Sequence, residues 1–166
     1  MSTVTHEQAN LLLRLYELRR EPRMREARAW FLANFNPSSP EDAMRIAPPG
    51  TEANASLRMV TSYWEMVANI VSRGLIDEEF FFENSGEQWI VWDRLKPVAG
   101  PTRERMKNPH AYEKLEQHVA RFEAWRERRA PGHNDLIRQM LKQMIAQAPP
   151  AKSPAKGGKG AKKRSR

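Results

Sequence analysis

The side chains best placed to do chemistry in this chain are the basic ones of its last eighteen residues. From residue 149 to 166 the sequence PPAKSPAKGGKGAKKRSR holds five Lys, two Arg and no acidic residue. Cationic side chains at this density neutralise polyanions, above all the phosphates of nucleic acid, and release counterions as they do so. We therefore predict a polyanion-binding segment made of Lys152, Lys156, Lys159, Lys162, Lys163, Arg164 and Arg166.

Nearly all of the net charge of the chain lies in this segment. The 166 residues contain 28 basic and 20 acidic side chains, a net charge of +8. The segment holds seven of the basic ones, which leaves 21 basic and 20 acidic side chains in residues 1–148. Its three Pro, three Gly and lack of large apolar side chains give it nothing to bury that would offset the entropy of ordering. We predict a folded domain over 1–148 and a disordered basic tail over 149–166.

The composition of the tail narrows its mode of binding but leaves the partner open. It contains no aromatic residue, so base stacking of the single-strand type is not expected from it. Contacts to phosphates alone carry no sequence specificity. The leading hypothesis is a tether to DNA, RNA or a ribonucleoprotein surface. The alternatives are attraction to an anionic membrane, about 1 kcal/mol for each basic residue near the lipid, and a tail that only aids solubility.

A second basic cluster lies near the N-terminus and forms a candidate secondary face for the same partner. Two acidic residues, Glu21 and Glu26, partly offset it. The simpler interpretation is a solvated helix face with local pairs, such as Glu21 with Arg25 at the i, i+4 spacing. A third interpretation is that a carboxylate inside the domain holds Arg25 or Arg28. The cluster consists of Arg19, Arg20, Arg23, Arg25 and Arg28.

No pattern in the chain points to catalysis, a metal or a cofactor. Cysteine is absent, which excludes disulfides, thiol nucleophiles and Cys-ligated zinc. A di-iron helical bundle needs Glu-x-x-His pairs, and none of the four histidines supplies one. Of the carboxylates near one helix end, Glu65 and 77–79, the last three are explained by capping and by the dipole of the helix N-terminus. We predict a non-enzymatic protein without a cofactor, whose body binds a protein partner or a second copy.

Helical periodicity dominates residues 1–148. In the clearest segment, 51–73, large apolar residues recur at spacings of three and four, and Gly74 follows as a stop signal. Thr5 and Asp77 are suited to capping helices that follow them. Pro22 is suited to opening one. The last periodic segment is 133–147, whose Met140, Met144 and Ile145 form either an adaptable surface for a partner or second subunit or part of a helix that closes the bundle. Strict apolar alternation of the strand type is absent, so the expected fold is all-α.

Prolines set the expected boundaries in the second half of the chain. Residues 87–95 are predicted to be helical, and Pro97 is expected to break the helix. A separate turn is predicted to open at Pro101 and run to Lys107. Asn108-Pro109 then matches a cap followed by the first turn of the next helix. With these breaks we predict an irregular bundle of five to seven helices. The five tryptophans, at helical spacings, are expected to lie mostly in its core.

Several motifs in order resemble one known family. They are PRMREAR from Pro22, WEMVANIVSRGLID over 64–77, WDRLKP over 92–97, and NPHAY over 108–112. Together they resemble the bacterial helical family catalogued as domain of unknown function 4760, over roughly residues 11–125. The resemblance implies an all-helical domain and assigns no activity or catalytic residue. Many similar proteins carry a membrane helix before the domain, whereas this chain begins with an amphipathic helix containing Arg14, Arg19 and Arg20.

The N-terminus and the hydropathy of the chain suggest a compartment. Residues 1–20 lack the basic start, apolar run and cleavage site of a signal peptide. No apolar run approaches the roughly 20 residues that span a bilayer. The expectation is a cytoplasmic protein. The membrane alternative would place the N-terminal amphipathic helix and the basic tail on anionic lipid, as in a peripheral regulator.

Overall fold

The computed structural model describes residues 4–147, and over these residues it is an all-helical bundle without strands. Eight helices follow one another along the chain. They are α1 (His6–Arg20), α2 (Pro22–Asn34), α3 (Pro40–Ile46), α4 (Glu52–Ser72), α5 (Glu78–Asn84), α6 (Glu87–Met106), α7 (Glu113–Arg129) and α8 (His133–Gln147).

Side-chain caps define where five of these helices begin. The side chains of Thr5, Glu21, Ser39, Thr51 and Asp77 each accept a hydrogen bond from the backbone N–H three residues further on. Such caps satisfy N–H groups that have no partner inside the helix. The predicted caps at Thr5 and Asp77 are confirmed. So is the opening of a helix at Pro22, which lies in the first turn of α2.

The predicted count of five to seven helices is wrong by at least one over residues 4–147. Two of the eight, α3 and α5, have only seven residues each. Helices of two turns are too short for apolar periodicity to establish them, so their capping residues are the sequence signal, as Asp77 is for α5. Burial of Phe81 and Phe82 then holds α5 in place.

The predicted break at Pro97 and Pro101 is also wrong, because α6 runs through both prolines to Met106. Each proline removes one backbone N–H donor and leaves one carbonyl without its helical partner. Pro97 and Pro101 both lie on the exposed side of α6, where water can solvate those carbonyls. Leu95 and Val98 on the opposite side are buried. Packing of that side therefore outweighs the local preference to end the helix.

The connection between α6 and α7 is a tight turn that Arg103 holds together. The Nε of Arg103 donates to the Ala111 carbonyl at 2.9 Å, and its guanidinium also pairs with Glu116 at 2.6 Å. Asn108 and Pro109 lie inside this turn, so the expected helix start there is wrong, and α7 begins at Glu113. The reason is that Lys107 closes α6 in the left-handed conformation, with φ of 50°.

A glycine at position 107 is expected to stabilise the protein by about 1 kcal/mol. A left-handed conformation is costly for a residue with a Cβ and free for glycine. Lys107 is exposed, so its side chain contributes little packing. Urea unfolding of Lys107→Gly against the natural chain measures the change. The matched control is Gly74→Ala, at φ +72° with open space around the added Cβ, which should cost about 1 kcal/mol; changes of equal sign would contradict the argument.

The core is built around α4, which packs against α2 on one side and α7 on the other. Trp64 of α4 lies in this core with Phe31 of α2 and Leu115 of α7, each at most 2% exposed. Trp89 and Trp92 of α6 are buried as well. Trp30 and Trp125 are half-buried and pack against the core. The tryptophans therefore act mainly as core residues, as their spacing predicted. In the described part of the chain, no helix is both long and apolar enough to cross a membrane.

Candidate functional site

The first predicted site, the basic tail, lies outside the described residues. Lys152, Lys156, Lys159, Lys162, Lys163, Arg164 and Arg166 all follow Gln147, the last residue that the structure describes. Their binding of a polyanion therefore stays a prediction. So does the domain boundary at residue 148.

Arg28, from the second basic cluster, is held inside the bundle by a carboxylate. Its Nε donates to Glu87 Oε1 at 2.6 Å, and its Nη2 pairs with the other oxygen of the same carboxylate. A third bond runs from Nη1 to the Arg19 carbonyl at 3.2 Å. The indole N–H of Trp64 donates to Glu87 at 3.4 Å. The hydrogen bond from Arg28 to Glu87 raises the pKa of Arg28, and the pair joins α1, α2, α4 and α6.

The remaining members of the cluster differ in how far they are engaged. The Arg19 guanidinium lies 5.1 Å from the ring centroid of Tyr16 and 5.9 Å from that of Trp64, within cation–π range. Arg23 pairs with the exposed carboxylates Glu52 and Glu26. Arg20 and Arg25 are exposed. Internal contacts thus hold Arg19 and Arg28, whereas Arg20, Arg23 and Arg25 face solvent.

Carboxylates compensate many of the other basic side chains of the body. Arg121 of α7 donates to Glu78 at 2.7 Å, and Arg129 contacts Glu79 at 3.0 Å. Arg138 of α8 pairs with Glu123 and, at 3.4 Å, with Asp93. The Glu123 carboxylate also accepts the indole N–H of Trp89 at 2.6 Å, so α6, α7 and α8 meet at one acidic residue. Within residues 4–147, ion pairs of this kind engage eight of the 21 basic side chains, and acidic side chains nearly balance the basic ones in number.

Glu65 has a structural role that its position in the sequence did not reveal. Its two carboxylate oxygens accept the backbone N–H groups of Lys114 and Leu115, at 3.1 and 2.9 Å. The N-cap residue of α7, Tyr112, makes no side-chain cap of its own and is left-handed at φ 60°. A carboxylate from α4 therefore caps the N-terminus of α7, where its charge also complements the helix dipole.

Arg94 is a buried residue that the predictions from the sequence did not single out. It is 7% exposed and belongs to the WDRLKP motif. Its Nη1 donates to the carbonyls of Phe31, Leu32 and Phe35, at 2.8, 2.7 and 3.4 Å. It thereby caps the C-terminal end of α2. A signal was present in the sequence, because Arg94 lies three residues after Val91 and four before Val98, on the buried stripe of α6.

His118 is the most deeply buried of the histidines. It is 0% exposed and lies between the rings of Phe81 and Phe82, at centroid distances of 5.4 and 5.2 Å. Neither ring nitrogen has a hydrogen-bond partner within the described residues. Burial lowers the pKa of His118 to about 4, and the charge of Arg121 acts in the same direction. Its Nδ1 is 3.9 Å from Glu78 Oε1. Because the pKa lies well below 7, the ring is a neutral core group at pH 7.

No group of three or more His, Cys, Asp or Glu within residues 4–147 is arranged to hold a metal ion. The cavities in the same range are mostly open grooves. One groove, of about 510 Å³, lies beside Gly74, Asp77 and Lys114, and another, of about 460 Å³, lies beside Glu79 and Trp125. A further cavity measures about 310 Å³ and is lined by Arg94.

Comparison with known proteins gives one match. A family model described as Domain of unknown function (DUF4760) matches residues 4–122, which is more than two thirds of the chain. No curated protein and no solved structure gives a significant match. The matched range covers α1 to α6 and most of α7, including Arg28, Glu65, Arg94 and His118. It leaves α8 and the basic tail outside.

Proposed function

The chain belongs to the DUF4760 family, whose description assigns no activity, and from its own residues we propose a non-enzymatic adaptor that its basic tail tethers to nucleic acid. The observation that carries the proposal is the segment 149–166, with seven basic and no acidic side chains. The charge pairing of the body supports it, because Arg28, Arg121 and Arg138 are committed to carboxylates of the body. The tail then supplies nearly all of the net positive charge.

The proposed contact is to phosphates and carries no sequence specificity. Each neutralised phosphate of duplex DNA adds roughly 0.9 to the log–log slope of affinity against salt. Seven engaged side chains therefore give a slope of about −6. The helical body would hold a protein partner or a second copy, and Arg20 and Arg25 add at most a minor contribution to phosphate binding.

A salt titration of binding to duplex DNA and to RNA tests the tether. We expect the full chain to bind with a slope of about −6. A full-length variant with Gln at all seven basic tail positions should lose most of that slope and bind far more weakly. The control variant, Arg20→Gln with Arg25→Gln, should bind almost as the natural chain does. Equal binding by the tail variant at moderate salt would refute the tether.

One observation favours a second candidate, a peripheral protein on anionic membrane. Helix α8 packs Ile137 and Leu141 against the core but leaves Leu136, Met140 and Met144 exposed by 52%, 48% and 66%. Their i, i+4 spacing puts these three on one face of α8, and the basic tail follows that helix in sequence. An apolar stripe beside a polybasic segment combines two membrane-binding signals. Three side chains are too few for the roughly 800 Å² per partner of a stable dimer.

This second candidate replaces the predicted N-terminal helix with α8 as the lipid-contacting element. In α1, Leu11 and Leu12 pack against the core and Leu15 is buried. The exposed Leu13 and Leu18 are five residues apart, about 140° around the helix, and form no stripe. Flotation with vesicles containing phosphatidylserine tests it: Met140→Glu should weaken binding, while Met66→Glu, at an exposed site on α4, should not. Loss of nucleic-acid binding in Met140→Glu, or equal flotation of both variants, would count against it.

A further inference from the structure

The cavity of about 310 Å³ lies where α6 and α8 meet the loop that follows α2. Its lining includes three basic residues, Arg94, Arg138 and Lys142, and one acidic residue, Asp93. Ile90 and Leu141 supply apolar wall. The volume falls at the lower end of the range of small-molecule sites. The cavity is thus large enough for a small organic ligand and has both polar and apolar walls.

Arg94 has unused donors at this cavity. The three hydrogen bonds that it makes in the described structure all leave from Nη1. Nε and Nη2 are therefore the donors left for another acceptor, and together they present the two parallel N–H groups that match a carboxylate. Burial lowers the pKa of Arg94, but a guanidinium remains protonated in proteins. A charged fork, largely out of water, thus borders the cavity.

The charge of Arg94 has no carboxylate partner within residues 4–147. Its neighbour Asp93 is 3.4 Å from Arg138, and Arg138 also pairs with Glu123 and Asp135. The carbonyls at the end of α2 offer only the partial negative charge of a helix C-terminus, about half an elementary charge. Lys142, exposed at the rim, adds a second cation without an ion pair in the described structure. Of the four charged residues that line the cavity, three are therefore cationic and one, Asp93, is anionic, and the charge of Asp93 acts on Arg94 as well.

We propose that this cavity binds a small organic anion, a carboxylate with a short aliphatic chain. The carboxylate would accept from Nε and Nη2 of Arg94 and lie within reach of Lys142. The chain would lie between Ile90 and Leu141, where apolar contact adds to affinity. Inorganic phosphate matches the charge but gains nothing from these apolar walls. The site is independent of the basic tail, so its presence or absence does not depend on the tether proposed above.

Calorimetric titration of the full-length chain with hexanoate in 150 mM NaCl tests the site. Hexanoate should bind with one-to-one stoichiometry and raise the melting temperature. Acetate, which lacks the chain, and hexan-1-ol, which lacks the charge, should each bind at least about tenfold more weakly. The full-length variant with Gln at the seven tail positions should bind hexanoate as the natural chain does. Absence of stoichiometric binding, or binding lost with the tail charges, would overturn the proposal.

Variants locate the bound anion. Lys142→Gln should weaken hexanoate binding about threefold to tenfold, whereas Lys96→Gln, an exposed change on α6 away from the cavity lining, should leave it unchanged. Arg94→Lys keeps a charge that can reach the carbonyls of α2 but loses the fork, and should weaken binding more than Lys142→Gln does. If Arg94→Lys unfolds, the comparison of Lys142→Gln with Lys96→Gln still tests the site. Equal hexanoate affinity in Lys142→Gln and Lys96→Gln would refute this site, and so would phosphate binding as tightly as hexanoate.

Discussion

Replacing His118 with leucine is expected to stabilise the protein, and by more as the pH falls. His118 is completely buried, its ring nitrogens have no partner in the described structure, and its pKa is lowered to about 4. In the unfolded chain the pKa is near 6.5. Between these values the unfolded state binds the proton and the folded state does not, so folding stability falls as the pH drops from 6.5 to 4.

The size of this effect follows from the width of that pH window. A depression of the pKa from 6.5 to about 4 corresponds to about 3 kcal/mol of stability lost by pH 4. Leucine has no proton to bind and satisfies the contacts with Phe81 and Phe82. We expect His118→Leu to gain about 1 kcal/mol at pH 7.5 and a further 3 kcal/mol or so by pH 4. Urea unfolding at half-unit steps of pH measures the difference.

An exposed histidine provides the control for this experiment. His6 lies on the surface at the start of α1. His6→Gln should leave the pH dependence close to that of the natural chain. Glu78 and Arg121, the charged groups nearest His118, are present in both variants and so cancel in the comparison. Parallel stability curves for the His118 variant and the natural chain would show that the buried ring does not titrate as argued.

Neutralising Glu87 is expected to destabilise the bundle by about 3 kcal/mol. Glu87→Gln keeps the shape of the side chain but removes the charge that holds the guanidinium of Arg28, and both side chains are largely out of water. Breaking such a pair leaves an uncompensated charge in a poorly solvated place. The indole N–H of Trp64, which donates to the same carboxylate, loses a charged acceptor as well. The midpoint of urea unfolding reports the loss.

Two further variants separate the buried pair from ordinary surface electrostatics. Glu52→Gln breaks the exposed pair with Arg23 and should cost less than about 1 kcal/mol. The double variant Arg28→Met with Glu87→Met removes both charges and should recover most of the stability lost in Glu87→Gln. If Glu52→Gln and Glu87→Gln lower the free energy of unfolding by the same amount, Arg28 has no larger structural role than Arg23.

Both experiments bear on the second basic cluster as a binding face. A large effect of Glu87→Gln would assign Arg28 to the fold, in agreement with its bonds to Glu87 and to the Arg19 carbonyl. The exposed members, Arg20 and Arg25, remain available to a partner. Any contribution of the body to phosphate binding would then be small beside that of the tail.

Local rules determined much of the fold from the sequence alone. The all-α class, the caps at Thr5 and Asp77, and the stop at Gly74 follow from preferences of single residues and from apolar spacing. Gly74 closes α4 with the two backbone bonds of a Schellman motif, from Gly74 to Val71 and from Leu75 to Ile70. The concentration of basic residues in 149–166 is likewise visible in the composition, whereas binding of a polyanion by this segment stays a prediction. These features depend on neighbours a few residues apart.

Only the tertiary structure decided the features that depend on residues far apart in the chain. α6 continues through Pro97 and Pro101 because its opposite side is buried, and Glu65 caps a helix that begins 48 residues later. Arg28 pairs with Glu87, 59 positions further along the chain. Arg94 donates to the Phe35 carbonyl at the end of α2, 59 positions earlier. A charge pattern shows that a residue needs a partner, but burial and distance decide which one it finds. For the same reason the cavity beside Arg94, formed by three separate segments, could not be inferred from the spacing of residues.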